Sequence, residues 1–111
     1  MTRDHRIYLQ DILDSISRIE NYVAEMTYED FAGDQKTVDA VVRNIEIIGE
    51  ATKNIPEEIR SMHPDLPWRE MAGMRDKMIH GYFEIVHGIL WETIKHDLSL
   101  IKPGIKGILD K

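Results

Sequence analysis

Val38-Asp39-Ala40-Val41-Val42-Arg43-Asn44-Ile45-Glu46-Ile47-Ile48-Gly49-Glu50-Ala51 is the stretch that decides the fold. Val38, Val41, Ile45 and Ile48 step by three and four, and Val42 and Ile47 widen the stripe. That period belongs to a helix burying one face, not to a strand alternating between two. The spacing predicts a long helix from about Gln35 to Asn54, closed by Pro56. Gly49 in mid-helix marks a close approach of another helix.

Working outward, the same period recurs on both sides. Upstream, Leu9, Ile12, Ile16, Ile19, Val23 and Met26 form one stripe, with Asp4 as a cap near its start. Thr27-Tyr28-Glu29-Asp30 resembles a capping pattern, and Gly33-Asp34 breaks and restarts the chain. Downstream, Pro56 suits the start of a short helix over Glu57 to Met62. Pro64 and Pro67 bracket a loop, after which a third long helix carries Trp68, Met71, Met74 and Met78 inward as core or dimer seam. Gly81 is the weak point near its end. A fourth helix from about Val86 to Ile101 carries Leu90, Ile94, Leu98 and Ile101. Pro103-Gly104 is expected to stop it, leaving 103–111 as a short C-terminal tail. With no alternating pattern and no repeat, the expectation is all-α: one domain over 1–111, an antiparallel bundle of four long helices plus short helical turns.

Bulk composition narrows the function classes. The chain has 111 residues, 42% hydrophobic and 31% charged, enough for one modest core. No apolar run is long enough to span a bilayer and the N-terminus lacks a signal-like stretch, so a cytoplasmic protein is expected. With no cysteine, disulfides and thiolate metal sites are excluded. The net charge of −6 argues against broad non-specific nucleic-acid binding, although Arg69, Arg75 and Lys77 supply local positive charge.

Chemistry is concentrated in Arg75-Asp76-Lys77-Met78-Ile79-His80-Gly81-Tyr82-Phe83. Arginine carries a permanent charge and a planar fork of donors that fits phosphate. Histidine exchanges protons near neutral pH. On a regular helix positions 75 and 80 lie about 140° apart, so one straight helix does not aim both at one phosphate. Either the helix bends near Gly81 or a second copy supplies the missing partner, as at a symmetric dimer interface. Asp76 lies four residues before His80 and can orient the imidazole. The plainer alternative makes Arg75 and Asp76 solvated charges, His80 a helix-end residue and Tyr82 a half-buried aromatic.

Two further groups carry polar chemistry. Arg43, Glu46 and Glu50 share one side of the second long helix; they suit a structural role and are also candidates for lining a cleft. Asp76, His80, Glu84 and His87 would line one side of an unbroken helix, yet no His-Glu-x-x-His pattern is present, so neither metal nor bound cofactor is expected.

Three segments in order make the chain recognisable. Arg43 to Ala51, Leu66-Pro67-Trp68 and the Arg-x4-His-x-Tyr motif of Arg75, His80 and Tyr82 together resemble the HepT toxins, ribonucleases of the HEPN superfamily. The resemblance spans nearly the whole chain. It implies an all-α HEPN-like bundle that forms a homodimer and cuts RNA without a metal, with no DNA or membrane target. It implies Arg75 and His80 as the catalytic pair, Asp76 in the polar position after the arginine, and Tyr82 as the residue modified with AMP. The partner it implies is an MntA-type nucleotidyltransferase antitoxin that uses ATP as AMP donor. A second class of function is a non-catalytic nucleotide- or substrate-binding subunit of a nucleotidyltransferase. A third is a purely structural helical dimer.

Overall fold

The computed structural model describes residues 4–80 and 87–111, with side chains at 4–74 and 87–111. The described residues form only helices and their connections. They are α1 (His5–Val23), α2 (Tyr28–Ala32), α3 (Gln35–Lys53), α4 (Glu57–Met62), α5 (Trp68–His80), α6 (His87–Glu92), a π-helical turn (Thr93–Asp97) and α7 (Leu98–Leu109). α3 is central, packed between α1 and α5, while α7 closes on α1 and the short α2 bridges α3 and α6.

The helix starts follow side-chain chemistry. Asp4 accepts from the Arg6 N–H at 2.9 Å and caps α1. Thr27 and Asp30 form a reciprocal capping box at the start of α2, each contact 3.1 Å. Asp34 accepts from the Thr37 N–H at 3.2 Å and from the Thr37 hydroxyl at 2.9 Å, fixing the start of α3. Those hydrogen bonds to Thr37 hold the Asp34 carboxyl below its ordinary pKa. α1 ends at Val23, three residues before the last member of its expected stripe. Met26 instead packs half-buried from the link to α2.

The stripes meet as the periodicity predicts. Leu9, Ile12, Ile16, Ile19 and Val23 of α1 face a core shared with Val38, Val41, Ile45 and Ile48 of α3. Trp68, Met71 and Met74 of α5 are buried as expected; the side chain of Met78 lies outside the described residues. Trp68 Nε1 donates to the His63 carbonyl at 2.9 Å, which ties the proline-bracketed loop to the start of α5. Thr52 satisfies its buried hydroxyl on the Ile48 carbonyl at 2.7 Å, whereas the buried Ser15 hydroxyl has no hydrogen-bond partner among the described residues.

The C-terminal end corrects the sequence expectation. Pro103-Gly104 does not stop the last helix: α7 runs to Leu109 with Pro103 inside it, so 103–111 is no tail. Proline in a helix interior costs about 3 kcal/mol. Downstream, however, Ile105 and Ile108 are buried at 0% and 7% exposure. Burying each contributes about 1.5–3 kcal/mol, enough to carry the helix past the ring. Pro103 itself lies on the exposed side. Two contacts across the fold fix this end, Arg6 Nη2 on the Leu109 carbonyl and Lys102 Nζ on Glu20 Oε1, both 2.6 Å. Gly104 lies in close approach to Leu66: a Cβ there would press on Leu66 Cδ2, so Leu66 would have to shift to admit any larger residue.

The π turn has its own cause in the sequence. Leu90, Ile94 and Leu98 follow two successive four-residue steps, and each such step drifts by about 40° on a regular α-helix. A wider turn over Thr93–Asp97 takes up that drift, and all three stay buried. From Leu98 onward the steps to Ile101, Ile105 and Ile108 are three, four and three, and the α-helix resumes.

Candidate active site

Residues 75–80 of the motif occupy the end of α5. The helix continues through His80, so Arg75, Asp76 and His80 all sit on helical backbone. Their side chains lie outside the described residues, as do Gly81, Tyr82 and Glu84 entirely. Position 75 falls seven residues after the buried Trp68 and four after the buried Met71, at the border of the core stripe. Position 80 lies about 140° further round, and position 76 about 40° from position 80. Met74, immediately before the motif, lines one small cavity with Ile45 of α3 and Leu90 of α6. The motif turns therefore follow directly on the point where α3, α5 and α6 converge.

Arg43, Glu46 and Glu50 are placed elsewhere. With Tyr8, Asp11, Ile47, Ala51 and Asn54 they line an open cleft of about 500 Å³ between α1 and α3. On α3 these positions sit about 100–160° round the axis from Ile45, which faces the α5 cavity. That cleft and the α5 packing surface are on different flanks of α3. Among the described residues no cluster of three or more His, Asp or Glu side chains is arranged to hold a metal. Of the weighed metal set only His87 has a described side chain.

One group on α2 and α6 is not signalled by the sequence motifs. Phe31 of α2 packs on Trp91 of α6, ring centroids 5.3 Å apart and tilted by 37°. Tyr28 meets Trp91 edge-on at 6.2 Å, and His87 meets Phe31 edge-on at 6.5 Å. Lys95 Nζ stands 4.7 Å from the centroid of Trp91. The usable sequence signal was Trp91 with Lys95 at i, i+4; its link to Tyr28 is tertiary.

A chain whose described residues are helical, and whose α5, packed on the central α3, ends in Arg-x4-His with x-Tyr next in sequence, defines the class: a helical protein carrying the HEPN ribonuclease motif. The chain belongs to the HepT-like ribonuclease family. The family described as Ribonuclease HepT-like matches residues 12–108. A protein of Thermococcus cleftensis named "Probable ribonuclease HepT" is 50% identical over all of this chain and 97% of that relative. A "Putative RNase" of Caldanaerobacter subterraneus subsp. tengcongensis is 44% identical over 96% of this chain and 95% of its own length. A longer protein of Methanocaldococcus jannaschii, "Gamma-glutamylcyclotransferase and putative RNase", is 44% identical over the whole chain, which covers 50% of it. No solved structure matches. Among the described residues no helix is long and apolar enough to cross a membrane.

Proposed function

We propose that this chain is the toxin of a toxin–antitoxin pair, an endoribonuclease whose site is completed by a second copy of itself. The observation that carries the dimer is the unbroken helix from Trp68 to His80. It keeps positions 75 and 80 about 140° apart, so two copies facing each other offer a phosphate both side-chain types at once. The RNA 2′-hydroxyl attacks the adjacent phosphorus and the 5′-oxygen leaves, giving a cyclic phosphate. His80 takes the proton from the 2′-hydroxyl, or returns one to the leaving oxygen from the partner copy. Arg75 stabilises the charge gathering on the phosphoryl oxygens, and Asp76 orients His80. No step requires a metal.

Tyr82 is the switch in this scheme. Its hydroxyl attacks the α-phosphorus of ATP in the active site of a nucleotidyltransferase antitoxin of the MntA type. Pyrophosphate leaves and a tyrosyl-AMP phosphodiester remains. The added bulk and negative charge beside Arg75 and His80 exclude RNA.

Purified protein incubated with RNA in excess EDTA should still cleave; complete loss under chelation removes the metal-free mechanism. Arg75→Ala and His80→Ala should each abolish cleavage with the fold intact, and persistence in both removes the site assignment. Co-expression with the nucleotidyltransferase should add the mass of AMP to the peptide holding Tyr82. The net charge of −6 favours one other reading, a non-catalytic subunit of the nucleotidyltransferase. Growth arrest on expression alone, lost in His80→Ala, separates the two.

A further inference from the structure

The aromatic cluster of α2 and α6 has a composition that packing alone does not require. Phe31 is fully buried and holds Trp91 from the core side. Tyr28 stays 39% exposed, its ring meeting Trp91 edge-on. Trp91 is half-buried, and the exposed Lys95 covers it from solvent at 4.7 Å. Two carboxylates on the same elements are engaged: Asp30 Oδ2 accepts from the Thr27 N–H at 3.1 Å, and Glu92 faces His96 Nε2 at 3.2 Å. α6, which carries Trp91, also follows the motif closely in sequence. α6 begins seven residues after His80, so the connecting chain spans at most roughly 25 Å.

We propose that Trp91, Tyr28 and Lys95 form a subsite for one base of single-stranded RNA. The assignment of RNA as ligand rests on the ribonuclease function proposed above; the platform itself rests on the geometry. The base takes the place of Lys95 over the Trp91 ring, bordered by the edge of Tyr28. Lys95, released from the indole, turns its ammonium to the neighbouring phosphate. The exchange is favourable because stacking of a base on an aromatic ring outweighs an exposed cation–π contact, and Lys95 gains a phosphate in return. Stacking is tolerant of base identity, so the subsite holds the strand without choosing its sequence.

Emission from Trp91 reports occupancy directly. The other indole, Trp68, is buried and hydrogen-bonded to the His63 carbonyl, and supplies a constant background. The probe is a 2′-O-methyl hexaadenylate, which binds but offers no 2′-hydroxyl for attack, titrated into the full-length protein. Saturable quenching is expected, with none from an abasic oligomer of the same length. Tyr28→Ala and Lys95→Gln, both surface changes, should each weaken binding roughly tenfold, while Tyr28→Phe retains it. Equal quenching by the abasic oligomer, no quenching by the hexamer, or unchanged affinity in Tyr28→Ala overturns the subsite. So does quenching by free AMP at the same concentration as the hexamer, which would make it a mononucleotide site. Cleavage of unmodified RNA is scored in parallel. Cleavage without quenching removes the subsite and leaves the ribonuclease; quenching without cleavage does the reverse.

Discussion

Ile105→Ala is the sharpest test of how the chain ends. Were 103–111 a frayed tail, truncating Ile105 would change nothing measurable. In the structure Ile105 is fully buried on α7, between Ile101 at 1% and Ile108 at 7% exposure. Isoleucine to alanine at such a site costs about 2–5 kcal/mol, from lost transfer energy plus the cavity left behind. A domain of this size holds about 5–15 kcal/mol in all, so the loss is a large share. At roughly 4 °C per kcal/mol, the melting temperature should fall by about 8–20 °C. The assay is helical circular dichroism followed through guanidinium and thermal unfolding, with protein concentration held equal because dimerisation would shift the midpoint. Lys106→Ala, one residue on and exposed, should change stability by less than about 0.5 kcal/mol. Pro103→Ala should stabilise by about 1–3 kcal/mol, regaining an N–H inside the helix and losing some restriction of the unfolded chain. A change below about 0.5 kcal/mol in Ile105→Ala, with unfolding still cooperative, would refute the continuous helix.

Two further outcomes follow from contacts elsewhere. Gly104→Ala should destabilise by about 1–3 kcal/mol through collision with Leu66, and Leu66→Ala in the same chain should reduce that increment, as a double-mutant cycle in denaturant would measure. Asp34, its folded pKa lowered by its bonds to Thr37, contributes stability above its unfolded pKa. That contribution is lost as pH falls below about 4. The gap in denaturation midpoint between wild type and Asp34→Ala should therefore narrow from pH 6 to pH 3, and a constant gap would disprove the charged cap.

Helix positions were legible where stripe and cap agreed. α3 and α4 start where Asp34 and Pro56 place them, because the signals are local. The four long helical stretches and the two short ones were all readable, and the HepT-like family was recognisable from three short segments. The end of the last helix was not. Proline and glycine are strong local breakers, but Ile105 and Ile108 are stabilised by partners far away in sequence, and that burial outweighs the local cost. The π turn was hidden for a related reason: two steps of four look like ordinary scatter until all three residues must face one core.

By itself the sequence determined the helices, their buried stripes and the family, since each depends on residues a few positions apart. It also supplied Arg75, His80 and Tyr82 and their spacing. Tertiary structure decided what lies beside what. It carried α7 through Pro103 to Leu109, set the Arg43, Glu46 and Glu50 cleft against α1, on a different flank of α3 from α5, and brought Tyr28 onto Trp91 across 63 residues of chain. Those outcomes rest on burial and contact between distant segments, which periodicity along one helix does not encode.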